Sequence, residues 1–240
     1  MTSTAPYFRE AGAGPGVVCI HANASSSSQW RALMERLAPR FHVLAADLHG
    51  AGKGPPWPTD RRLTLHDEAA LLEPVLARAG TPVSLVGHSY GAAVALITAL
   101  QRPRRVQALV LYEPTLFSLL GATAATRGDA DGIRRTVAAA VAALARGEPG
   151  LAAEHFIDYW MGAGAWATTP EPRRAPIEAS IVNVAGWASA LMDDATPPTA
   201  FQALQMPVLL MVGAQSPASS RAVARRLAEV LPQVEVLELE

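Results

Sequence analysis

Residues 83–100 read Val-Ser-Leu-Val-Gly-His-Ser-Tyr-Gly-Ala-Ala-Val-Ala-Leu-Ile-Thr-Ala-Leu, and this stretch decides the fold. A short apolar run leads into the pentapeptide Gly87-His88-Ser89-Tyr90-Gly91, and a run of small apolar residues follows it. That order spells strand, sharp turn, helix. A G-x-S-x-G turn of this kind forces the serine backbone into a strained conformation that only small flanking residues tolerate, and leaves the hydroxyl exposed at the strand tip. Ser89 is therefore the candidate nucleophile. The alternative is an ordinary strand-to-helix connection in which Ser89 only caps the helix.

Working outward, Gly16 to Ile20 and Phe41 to Ala46 are short apolar runs bounded by turn residues, and Trp30 to Leu37 between them carries helical spacing. Leu65, Ala69, Leu72 and Leu76 mark a second helix face. This helix opens with Thr64 and Asp67 in capping-box spacing and is expected to bend at Pro74. After the helix that ends near Arg102-Pro103, VQALVLY and MPVLLMVG read as buried strands. A last helix then places Val223, Leu227, Val230 and Leu231 on one face behind Ser219 or Ser220 as cap, and VEVLEL closes the chain. Such alternation means an α/β fold, a mostly parallel sheet with helices on both faces.

Residues 115–200 break the alternation. They read as an inserted helical cap, with Ile133, Val137, Val141 and Leu144 on one stripe and with Phe156, Tyr159, Trp160, Trp166 and Trp187 following. The expected division is a core of residues 1–114 and 201–240 with the cap at 115–200. Most of the aromatics would form the cap's own small core, and some would face a largely apolar cavity over Ser89.

The chain has 240 residues, enough for one large α/β core, and a formal net charge of −1. Its arginines are scattered or paired with acids, so no basic stripe suited to nucleic acid stands out. The N-terminal stretch lacks the basic and apolar regions of a secretory signal, and no apolar run is long enough to span a bilayer. A soluble, cytoplasmic protein acting on a small molecule is expected, with neither nucleic acid nor membrane as partner. The single cysteine, Cys19, reads as a small buried apolar residue and matches no metal spacing. No metal and no cofactor is implied. The Asn23-Ala24-Ser25 sequon is discounted for want of a secretory signal.

With the turn, the insertion and the last helix in place, the whole chain resembles the α/β-hydrolase superfamily in its small, capped form. His21-Ala22-Asn23-Ala24-Ser25-Ser26 is similar to that family's His-Gly-x-Pro loop, although Ala22 stands where glycine is usual and Ala24 where proline is frequent. The resemblance implies an oxyanion hole made by the backbone N–H groups of Asn23 and Tyr90, with His21 holding the loop by hydrogen bonds. Asp47 matches a turn-fixing aspartate in D-x-x-G-x-G. The family's usual acid position is occupied by Ser216, which cannot serve as a carboxylate. A family variant takes the acid from the strand after the turn helix, and Glu113 stands there, so Glu113 is the expected acid; Asp193 and Asp194 are weaker candidates. The base in this family is a histidine in a loop after the last strand, where this sequence reaches Glu240. The sequence therefore looks like a longer protein cut short. Of its six histidines, only His49 and His21 lie in loops beside the site, and neither matches a family base. The implied function is serine hydrolysis by acyl transfer on a small, partly apolar carboxylic ester or related carbonyl compound. The alternative is a catalytically silent, hydrolase-like binding scaffold.

Overall fold

The computed structural model of the chain describes residues 6–121 and 128–240; the first five residues of the N-terminal stretch and residues 122–127 of the insertion lie outside them. Seven strands form one sheet in the spatial order β1 (Phe8–Ala11), β3 (His42–Ala46), β2 (Gly16–Ile20), β4 (Val83–His88), β5 (Val106–Tyr112), β6 (Val208–Gly213), β7 (Val234–Leu239). Every neighbouring pair is parallel except β1, which lies antiparallel to β3. The sequence reading missed β1, because Phe-Arg-Glu-Ala has neither an apolar run nor clean alternation. Strand β2 is buried at every position, which is why it reads as an uninterrupted apolar run.

Strand order reverses at β2, which pairs with β3 on one side and β4 on the other. Loops leaving the carboxyl ends of two strands that flank such a switch point diverge and leave a crevice between them. The His21 loop and the Ser89 turn are those two loops.

Helix α1 (Arg31–Leu37) follows a single 3₁₀ turn, Ser27–Trp30. The capping box at Thr64 and Asp67 is formed in full at the start of α2 (Leu65–Leu71). The expected bend at Pro74 is a break: α3 (Glu73–Ala79) starts as a separate helix with Pro74 in its first turn, where the missing N–H costs nothing. Helix α4 (Tyr90–Gln101) is buried from Tyr90 to Ala99 and fills the centre of the larger hydrophobic core.

Between β5 and β6 stand α5 (Asp131–Ala145), α6 (Pro149–Met161), α7 (Ala165–Thr168), α8 (Glu171–Ile181) and α9 (Val184–Met192). Ile133 faces inward on α5, but Val141 is exposed; Ala140 and Ala143 take the buried face, since 3.6 residues per turn carries position 141 outward. Phe156 packs edge to face with Trp160, ring centroids 6.3 Å apart, and lies tilted against Trp187 at 5.9 Å. A part-buried polar tie joins α6 to the sheet layer: Tyr159 Oη lies 2.7 Å from Ser219 Oγ on α10 (Ala218–Val230). Ser219 and Ser220 do not cap α10. Pro217 occupies that position, and both serines are buried in the first turn, where each serves a distant partner.

Close approach explains the small residues of the turn. A Cβ on Gly91 would lie 2.2 Å from the Ile20 carbonyl oxygen, and one on Gly87 would lie 2.5 Å from Ala92 Cα. Gly91→Ala is therefore expected to lower unfolding stability by about 1–3 kcal/mol through overpacking against backbone that cannot yield. The check is the urea midpoint, with Gly121→Ala as control, since among the described residues a Cβ there meets only Ser118 O at 3.7 Å.

Candidate active site

Ser89 sits at φ 54° and ψ −116°, between β4 and α4, and its side chain makes no capping bond to the helix. The capping alternative therefore fails. Holding a non-glycine residue there costs on the order of 1–3 kcal/mol. The strain is held in place from both sides: Ser89 N–H donates to Tyr112 O at 2.8 Å, and the N–H groups of Ala92 and Ala93 donate to Ser89 O. Ser89 opens on a small cavity of about 20 Å³ walled by Asn23, Phe117, Phe156, Trp160, Trp187 and Leu191 among others. The inserted helices thus supply most of an apolar wall over the hydroxyl.

Asn23 and Tyr90 flank Ser89 from the β2 loop and the start of α4. Among the described residues neither backbone N–H is committed to an acceptor. Tyr90 is the first residue of α4, whose leading N–H groups have no partner within the helix. The β2 loop is braced from several directions. Gln29 Oε1 accepts from Ala22 N–H at 3.2 Å, and Asp47 accepts from Ser27 N–H at 2.6 Å and from Lys53 N–H at 2.8 Å. Ala24 stands at φ 53°, a conformation closed to the proline frequent at that place in the resembling family.

His21 is fully committed to structure. Its Nδ1 donates to Ala22 O at 2.7 Å and its Nε2 accepts from Leu48 N–H at 3.1 Å. Burial holds its pKa below the ordinary histidine value. His88 turns away from Ser89, meeting Gln29 Nε2 at 2.9 Å through Nδ1 and stacking on Tyr112 with ring centroids 4.7 Å apart. Burial pushes its pKa down to about 4, against the pull of Glu113.

Glu113 follows β5, itself at positive φ (50°), and its N–H donates to Met211 O. One carboxylate oxygen accepts from Gly213 N–H at 2.7 Å and Ser216 Oγ at 2.6 Å; the other accepts from Ser220 Oγ at 2.5 Å. Ser216, at the usual acid position of the family, is therefore a hydrogen-bond donor to the carboxylate placed one strand away. Among the described residues no arginine pairs with Glu113. Asp193 and Asp194 lie elsewhere, facing Arg62 and His66 of the α2 region. His49 bonds Glu68, His42 bonds Glu10 and His66 meets Gln101. Among the described residues no histidine hydrogen-bonds Ser89 or Glu113, and no group of three or more His, Cys, Asp or Glu could hold a metal ion.

A profile of the alpha/beta hydrolase family matches residues 17–240, and the chain belongs to that family. It is 38% identical over 107 residues to "Lipase LipV" of Mycobacterium tuberculosis, covering 43% of this chain and 39% of that protein. It is 34% identical over 109 residues to the pimeloyl-[acyl-carrier protein] methyl ester esterase of Nitrosomonas europaea, covering 45% of this chain and 41% of that one. The chain spans about a third of the length of the first curated relatives it matches, at 30%. Among solved structures, an alpha/beta hydrolase from Sphaerobacter thermophilus superposes with a TM-score of 0.75 at 26% identity, covering 98% of this chain and 88% of that one. No helix among the described residues is long and apolar enough to cross a membrane.

The depressed His88 pKa makes stability depend on pH. The unfolded ring binds a proton near pH 6.5 and the folded ring only near 4, so the unfolded state gains protons first as pH falls. Stability is expected to drop between about pH 6.5 and 4, by on the order of 2–3 kcal/mol for this group. His88→Gln should flatten that slope in urea titrations at pH 7 and pH 5.

Proposed function

We propose that the protein is a serine hydrolase that cleaves a small, partly apolar carboxylic ester by acyl transfer. The observation that carries this reading is the strained Ser89 on a turn with two uncommitted N–H groups beside it. Ser89 Oγ attacks the ester carbonyl and gives up its proton to a base. The negative charge that develops on the carbonyl oxygen is bound by the N–H groups of Asn23 and Tyr90. Collapse expels the alcohol and leaves an acyl-serine, which water then hydrolyses to the acid, regenerating the hydroxyl. Glu113 is the group that orients and charge-balances the base. Three donors fix its carboxylate and leave it little freedom to turn. The helices between β5 and β6 act as a cap that excludes water and selects substrates with apolar groups. The substrate is a small molecule, and no metal or cofactor enters the reaction.

A second reading is a hydrolase-like binding scaffold without turnover. It is favoured by one observation, that none of the described histidines bonds Ser89 or Glu113. Fluorophosphonate labelling followed by intact mass separates the two. A single adduct that disappears in Ser89→Ala is expected for the hydrolase; an unlabelled wild-type chain supports the scaffold. In the active protein, Glu113→Gln should lower kcat/KM by about 10²–10⁴. Ser216→Ala, which removes one of three donors to Glu113, should cost about tenfold or less.

A further inference from the structure

Beside the Ser89 cavity lies a second, smaller one of about 10 Å³, room for a single water-sized group. The two share Asn23 and Trp187 as walls. The small one is also lined by Tyr90, so it adjoins both residues of the proposed oxyanion hole. The residues around it include Asn23, Ser25 and His49, whose side chains can hydrogen-bond.

His49 is held there by a buried anchor. Glu68, on α2, has no solvent exposure and accepts from His49 Nδ1 at 2.8 Å, from His49 N–H at 3.3 Å and from Tyr90 Oη at 3.4 Å. Burial raises the Glu68 pKa, and the His49 and Tyr90 bonds oppose that rise. A buried carboxyl is costly to place, and this one spends its oxygens orienting a single ring and the tyrosine of the Ser89 turn. With Nδ1–H committed to Glu68, the neutral ring carries its lone pair on Nε2, across the ring from the anchor. Among the described residues Nε2 has no partner, and neither the Asn23 carboxamide nor the Ser25 hydroxyl has one.

We propose that this niche is a specificity subsite for a hydroxyl group carried on the α or β carbon of the substrate's acyl portion, with His49 Nε2 accepting from it and Asn23 and Ser25 completing its hydrogen bonds. The proposal rests on the ester-hydrolase reading for the placement of the carbonyl. Because the niche touches the residues that bind the carbonyl oxygen, only a group one or two bonds from the carbonyl carbon reaches it. The apolar remainder of the acyl chain lies against Phe156, Trp160 and Trp187. Glu68 is a positioning residue, acting through His49.

Binding to the Ser89→Ala protein, followed by tryptophan fluorescence, tests the subsite without requiring turnover. The probes are two matched pairs, methyl phenylacetate with methyl mandelate and methyl 3-phenylpropanoate with methyl 3-hydroxy-3-phenylpropanoate, each hydroxylated ester as separate enantiomers. At least one hydroxylated enantiomer is expected to bind about tenfold more tightly than the plain ester, in keeping with one added hydrogen bond to an oriented partner. His49→Phe should bring that ratio to near one, and Ser25→Ala, an accessible loop position that leaves the buried pair intact, should lower it severalfold. Equal affinities for plain and hydroxylated esters would mean that the niche holds a water only, and would overturn the proposal. A ratio that survives both substitutions would overturn it as well. Failure of the parent reading looks different: none of the esters, plain or hydroxylated, would bind at all.

Discussion

Helix α4 approaches β2 so closely that no side chain fits at Gly91, where a Cβ would fall 2.2 Å from the Ile20 carbonyl oxygen. That contact fixes the distance between the two loops on either side of the strand-order reversal. With α4 seated on β2, Ser89 must turn through a left-handed conformation to leave β4, and its N–H is captured by Tyr112 O at the tip of β5. The first N–H of α4 then lies next to the β2 loop, bringing Tyr90 and Asn23 to one crevice. A single larger residue at position 91 would push the helix away and separate the parts of the site together.

The same logic carries along the sheet. Glu113 also leaves its strand at positive φ, and its N–H is tied to Met211 O at the tip of β6. Its carboxylate reaches Gly213 N–H and two serines, one in the loop after β6 and one in the first turn of α10. A group that bonds three donors from two later elements has no freedom to move with its own strand. The consequence is a rigid carboxylate one strand away from Ser89. Serine at position 216 and serine at position 220 make sense only as donors to that carboxylate.

Polar groups close to Ser89 are thereby sorted into two kinds. His21 and His88 are spent on structure, one holding the β2 loop to Leu48 N–H and the other packed on Tyr112 beneath Gln29. Burial keeps both rings below the ordinary histidine pKa, which suits groups whose work is to stay neutral and bonded. His49 differs, since among the described residues only one of its ring nitrogens is used and the residue lines a small cavity.

Much of this architecture follows from local chemistry that the sequence carries on its face. Short, largely apolar runs set β2 to β6, the Thr64 and Asp67 pair set the start of α2, and the glycines around Ser89 set the turn. Glu113 stands out as the candidate acid from the identity of residue 216, the end of β5 and the resemblance to a family variant. What the sequence withheld are the features that depend on which distant surfaces meet. Strand β1 exists because β3 offers it an edge; Val141 turns outward because the helix rotates to bury Ala140 and Ala143. Ser219 and Ser220 lose their capping role to partners on α6 and after β5, at sequence separations of 60 and 107. The Glu68–His49 pair, 19 residues apart across a loop and a helix, likewise leaves no periodic signal. Period and turn chemistry are properties of a few adjacent residues, whereas a hydrogen bond between remote side chains is decided only when the core packs and fixes the distance between them.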